Sequence, residues 1–228
     1  MTTPLKDPYD YGTLGYFAGR VAQDKVPVFN GIPSNISWDA LKHLGAAAAT
    51  SGSVALYHVV GVTPEAPTEE VAFGQKKIKD WQTFEFGEKE LRETEASLSK
   101  ATPEEVDLVL LGCPHASITE FREIAHALSG RRLKSGVEVW ISTSRMVKTY
   151  AEIMGYTNII ESAGAQILCG TCPVWMFEPL ASDLRPRVIC TNSAKLTYAL
   201  GLYRAKGQAI EVYYGSMGRC IEAATHKA

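Results

Sequence analysis

The chain has 228 residues, 46% hydrophobic and 21% charged, with a formal net charge of −2 and a pI near 6.2. These values suit one large α/β domain or two small ones, and they give no electrostatic basis for nucleic acid or an anionic membrane as partner. No apolar run approaches the ~18 residues needed to cross a bilayer, and Met1-Thr2-Thr3-Pro4-Leu5-Lys6-Asp7 lacks the apolar stretch of a secretory signal. A cytoplasmic location is the expectation.

In chain order, residues 11 to 23 read as a helix whose Gly12, Gly15 and Gly19 allow close backbone approach. Ser37 is a good N-cap for a helix from Trp38 to about Ser51, which Gly52 stops. Its Ala46-Ala47-Ala48-Ala49 tract makes a thin side for packing. Val54 to Val62 reads as a strand ending in Thr63-Pro64-Glu65-Ala66-Pro67. Gly87 to Lys100 is a charged amphipathic helix. The stretch from Lys100 to Glu105 is the best boundary, giving subdomains 1–104 and 105–228.

Beyond it, four apolar runs each end in a small polar or thiol-bearing turn. Val106 to Leu111 precedes Gly112-Cys113-Pro114-His115-Ala116-Ser117, and Val137 to Ile141 precedes Ser142-Thr143-Ser144-Arg145. Ala165 to Leu168 precedes Cys169-Gly170-Thr171-Cys172-Pro173, and Arg187 to Ile189 precedes Cys190-Thr191-Asn192-Ser193-Ala194-Lys195. Helix-length segments separate them, about Ile118 to Leu128, Met146 to Gly155 and Ala194 to Tyr203. A last strand, Ala209 to Tyr214, leads into a helix carrying Cys220. Such alternation predicts a layered αβα fold with mostly parallel sheets. Ligands of open α/β sheets bind beyond the carboxyl ends of the strands, so the four turns define the candidate site.

Five cysteines without a secretory signal argue against a disulfide scaffold. Cys169-x-x-Cys172 alone fits a zinc site, a redox disulfide or an iron–sulfur site. No second close-spaced pair favours structural zinc, and Cys169 ends a strand rather than opening a helix. Thiolates from separated segments suit an iron–sulfur cluster, and Cys113, Cys172 and Cys220 have that placement. Cys190, after Val188 and Ile189, fits a buried thiol equally well. His115 can act as acid–base or simply close its turn. Ser117 and Glu120 make a capping box. Arg145 and Lys195 open helices at the same edge, where they suit an anion or serve as solvated cations. Ser144, Asn192 and Ser193 can orient substrate or shape their turns. His43 and His126 read as structural and His58 as buried. Dinucleotide, Walker, nucleophile-elbow and zinc-protease motifs are missing.

Several blocks resemble those of the aconitase X catalytic region. They are Asp10-Tyr11-Gly12-Thr13-Leu14-Gly15-Tyr16, Leu41-Lys42-His43-Leu44-Gly45-Ala46-Ala47, Val54 through Ala66, Leu111 through Ser117, and Thr191-Asn192-Ser193-Ala194-Lys195. The resemblance spans nearly the whole chain. It implies an aconitase-like hydro-lyase that dehydrates a small hydroxy acid with iron or an iron–sulfur cluster. cis-3-Hydroxy-L-proline is the preferred substrate and phosphomevalonate the alternative. It implies Cys113, Cys172 and Cys220 as metal ligands, with Cys169 in reserve. His115, Ser193 and Lys195 are the implied catalytic residues, and Ser144, Arg145 and Asn192, from their place in the turns, are the expected substrate-binding residues.

Gly170-Thr171-Cys172 stands where the family tends to have Asp-Thr-Cys. The family's Cys-Thr-Cys-Thr-Pro block, its glycine-rich block and its small swivelling domain find no match. The expectation is therefore the C-terminal half of one catalytic domain. Such a chain would be inactive without its remaining half and a small swivelling subunit. A non-catalytic carboxylate-binding module and a small CxxC redox protein are the competing readings.

Overall fold

The computed structural model describes residues 5–74, 81–172, 186–205 and 210–226, with 203–205 described by backbone alone. The expected strand start at Ala209 and the turn residue Pro173 lie outside these segments. The chain divides into two compact units, Met1–Glu95 and Ala96–Ala228.

In the first unit, α1 (Pro8–Ala22) packs on α2 (Trp38–Gly52). Asp7 caps α1 by accepting from the Tyr9 and Asp10 amides, and Ser37 caps α2 by accepting from Ala40. The small residues explain the close crossing. A Cβ on Gly15 would fall on the Leu44 carbonyl, and one on Gly19 would strike Ser51 and the Ala48 carbonyl. Leu14, Ala18, Leu44, Phe29 and Val59 form the shared core.

β1 (Val28–Phe29) pairs in parallel with β2 (His58–Val59). The expected strand from Val54 to Val62 shortens to those two residues of β2. The amides of Val62 and Thr63 turn back onto the Val59 carbonyl, and Thr63 Oγ1 accepts from the Val59 amide. A local turn therefore takes the groups that a longer ladder would need. α3 (Glu69–Phe73) and α4 (Glu88–Leu98) follow.

The second unit holds β3 (Leu108–Leu111), β4 (Glu138–Thr143), β5 (Gln166–Cys169), β6 (Val188–Thr191) and β7 (Glu211–Tyr214). They form one parallel sheet in the order β5-β4-β3-β6-β7. Its helices among the described residues are α5 (Ile118–Leu128), α6 (Arg145–Ile153), α7 (Tyr156–Ala163), α8 (Ala194–Ala205) and α9 (Met217–Ala224). Every residue of β3 and β6 is buried, as a sheet covered on both faces requires. Val109, Leu111, Val139, Ile141 and Val188 share a core with Phe121 and Ile124 of α5, Ile160 of α7 and Ile221 of α9. Alternate residues Leu108, Leu110 and Ile189 are also buried, and α8 packs along β6 and β7. The layered, mostly parallel α/β architecture expected from the sequence is the one found.

Strand order reverses between β3 and β6. Connections run outward from β3 to β4 and β5, then return to β6 and β7. The crevice beyond the carboxyl ends of β3 and β6 is thus the topological switch point, the preferred ligand position in open α/β sheets.

Candidate active site at the strand ends

Gly112 turns the chain out of β3 with φ of +83°. A Cβ there would overlap the Ser142 carbonyl of β4, so only glycine lets the two strand ends pass this closely. The Cys113–Pro114 bond that follows is cis. The turn is then fastened to β4. Ala116 N donates to Ser142 O at 2.9 Å, and Thr143 Oγ1 donates to Ala116 O at 2.8 Å. Ser117 and Glu120 form the expected capping box that starts α5. Cys113 is thereby held, almost fully buried, at the end of β3.

The β6 turn meets it from one side. Ser193 Oγ caps α8 by accepting from Leu196 N at 3.0 Å, and it donates to the Cys113 carbonyl in a short hydrogen bond. The same hydroxyl meets the Cys113 thiol, and the half-buried Lys195 ammonium and the Cys172 thiol lie within electrostatic reach of it. Burial pushes the Cys113 thiol up to about 11; Lys195 opposes that rise and Cys172 adds to it.

The β5 turn closes the other side. Gly170 N donates to Thr143 O at 2.9 Å. The Thr171 carbonyl accepts from Ser142 Oγ at 2.9 Å and from His115 Nε2 at 2.8 Å. Because a carbonyl only accepts, Nε2 carries the proton. Three strand ends are thus tied together, and Cys172 follows directly on Thr171.

The sequence-derived residues fall into three groups. Cys113, Cys172, Ser193 and Lys195 converge, with His115 bound to the turn that carries Cys172. Ser144 caps α6, accepting from Val147 N at 3.2 Å; Arg145 is exposed, with its Nε over Gly170. Asn192 is 7% exposed and its Oδ1 finds no hydrogen-bond partner among the described residues. Cys220 lies elsewhere. It is fully buried in the core under α9, where its thiol donates to Gly215 O at 3.4 Å and hydrogen-bonds Cys190. Burial, then that thiol neighbour, raise Cys190 well above the ordinary thiol range.

Among the described residues no three His, Cys, Asp or Glu side chains form a group able to hold a metal ion. Cys113 and Cys172 are the two thiols at the strand ends able to serve as soft metal ligands, beside a cation that favours thiolate. The expected grouping of Cys220 with them is not what the structure shows, because the α9 packing commits that thiol to Cys190. The roles of Ser142 and Gly112 went unread in the sequence, although a glycine before Cys-Pro at a strand end signalled the tight turn.

A parallel α/β unit with thiols, a hydroxyl and a cation at its switch point has the architecture in which open-sheet proteins place their ligands. Two family models match in succession, the aconitase X second domain over residues 2–96 and the aconitase X third domain over residues 106–226. The chain belongs to the aconitase X family.

It is 38% identical over 216 residues to a cis-3-hydroxy-L-proline dehydratase of Pseudomonas aeruginosa, covering 94% of this chain and 36% of that one. It is 42% identical over 186 residues to a phosphomevalonate dehydratase large subunit of Methanothermobacter thermautotrophicus, covering 82% and 43%. The holo-form crystal structure of Thermococcus kodakaraensis aconitase X superposes with a TM-score of 0.80 at 32% identity, over 97% of this chain and 53% of that chain. The chain thus spans about half or less of the length of these relatives.

These matches correct one expectation. The chain is not the C-terminal half of a single catalytic domain, since it carries two successive family domains, over residues 2–96 and 106–226. The inferred need for a remaining half of that domain as a partner, and the inactivity deduced from it, fall with that reading.

Proposed function

We propose that the chain takes part in dehydration of a small hydroxy acid, with cis-3-hydroxy-L-proline the preferred substrate. The carrying observation is the convergence of Cys113, Cys172 and Lys195 at the switch point. Support for the substrate comes from the dehydratase relative matched over 94% of this chain. In such a reaction a base removes a carbon-bound proton, the neighbouring C–O bond breaks, and the hydroxyl leaves as water. Cys113 and Cys172 would hold iron, which when bound supplies Lewis-acid assistance to the departing hydroxyl.

The chain's own groups divide the remaining work. Lys195, at the N-terminal turn of α8, pairs with the substrate carboxylate where unpaired helix amides also favour an anion. Ser193 and His115 are positioning residues. Each is bonded to a backbone carbonyl, Ser193 to that of Cys113 and His115 to that of Thr171. Together they fix the two thiols relative to each other.

The test is turnover of cis-3-hydroxy-L-proline by the iron-loaded chain, followed by mass spectrometry for loss of water. Product formation that disappears in Lys195→Met supports the assignment. Iron loading without turnover of cis-3-hydroxy-L-proline or phosphomevalonate would reject it.

A further inference from the structure

A buried amide oxygen without a donor is costly, about 1–3 kcal/mol for a group of this kind. Asn192 carries one. Its Oδ1 has no partner among the described residues although the side chain is more than nine-tenths buried. It sits directly after β6, at the switch point, between Thr191 and Ser193. The hydrogen bonds of its neighbours are already assigned. Ser193 N donates to Thr191 Oγ1, Gly215 N donates to Thr191 O, and Ser193 Oγ bridges Leu196 N and the Cys113 carbonyl. The turn therefore holds its shape through Thr191 and Ser193. Asn192 adds an unmet acceptor to it.

An acceptor calls for a donor. A carboxylate cannot satisfy it; on a hydroxylated imino acid the ammonium and the hydroxyl both can, and only the hydroxyl distinguishes that acid from its deoxy counterpart. We infer that Asn192 is a specificity-determining residue whose Oδ1 accepts the hydroxyl proton of the ligand, so that the site prefers a hydroxylated acid to its deoxy counterpart. This rests on the reading of the switch point as a hydroxy-acid site. Away from water, a site built to hydrogen-bond a hydroxyl discriminates strongly against a ligand lacking it.

The test uses the full chain and Asn192→Leu, which keeps the branched heavy-atom skeleton and removes the amide. Calorimetric titration compares cis-3-hydroxy-L-proline with L-proline, and thermal unfolding is recorded without ligand. The wild type should bind the hydroxylated acid about 10- to 100-fold more tightly than proline. The leucine variant should lose that preference while its affinity for proline stays the same. An equal loss for both ligands would overturn the inference, since it would place the amide on a group they share. The unfolding arm is independent of ligand choice. Removing an unmet acceptor should raise the midpoint of the free variant by several degrees, even if neither acid binds and the substrate assignment fails. A lowered midpoint, or failure to fold, would show that Asn192 serves the fold and would overturn the inference.

Discussion

Two thiol pairs in the second unit show how surroundings divide one residue type into two roles. Cys113 and Cys172 meet at the carboxyl edge of the sheet, beside Lys195 and under hydrogen bonds from Ser193, Ser142 and His115 that fix both turns. Cys190 and Cys220 meet in the core between β6 and α9, in one cluster with Val188, Ile221 and Ala224, and among the described residues no cation influences the Cys190 thiol. Burial raises Cys113 and Cys190 alike. Only at the edge does a neighbouring positive charge work against that rise. Thiol proximity alone thus does not single out the candidate site; the cation and the strand ends do.

The largest way to break the edge pair is through the backbone. Gly112→Ala forces a Cβ onto the Ser142 carbonyl at a left-handed φ. A loss of about 3 kcal/mol or more is expected from overpacking and backbone strain together, read as a lowered unfolding midpoint. Gly130 is a fair control. It also has positive φ, but no atom would stand within 4 Å of its Cβ, so alanine there should cost about 1–2 kcal/mol.

A pH series sharpens the comparison next. In the metal-free chain the folded Cys113 thiol titrates near 11 against an ordinary value of 9.0. Its contribution is fully present below pH 9 and is lost as pH rises towards 11, because the unfolded thiol ionises first. Cys113→Ala should flatten that decline by roughly 2–3 kcal/mol in denaturant titrations at pH 8 and 11. An unchanged slope would deny Cys113 its buried, protonated state. Lys195→Met should act in the opposite sense, steepening the decline by removing the charge that favours thiolate.

A smaller effect follows at the clamp. His115→Ala removes one of two donors to the Thr171 carbonyl, and about 1 kcal/mol of stability should go with it. Hydrogen exchange should quicken at Gly170 while β3 stays protected. Uniform quickening across the sheet would mean that His115 supports the whole unit.

Much of this was legible in the sequence because it depends on local chemistry. The Ser117–Glu120 capping box, the Ser37 cap and the glycine face of α1 follow from residue types at fixed spacings. So do the four strand-and-turn units. The register of non-local packing was not legible. Nothing in the linear order says that α9 turns Cys220 towards Cys190 rather than Cys113, because a single helix rotation decides it. The stretch from Val54 to Val62 has strand composition, yet Thr63 supplies a competing local turn. The stretch from Lys100 to Glu105 reads as a boundary, yet the blocks on its two sides do not by themselves say that each side is a family domain of its own.

Whether the edge pair holds iron is decided by anaerobic iron reconstitution of the wild type, Cys113→Ser, Cys172→Ser and Cys220→Ser, with iron-to-protein stoichiometry and visible absorbance recorded for each. The edge-pair account predicts that the wild type and Cys220→Ser bind iron alike, while Cys113→Ser and Cys172→Ser lose it. Iron retained without Cys113, or lost as fully without Cys220, would contradict it.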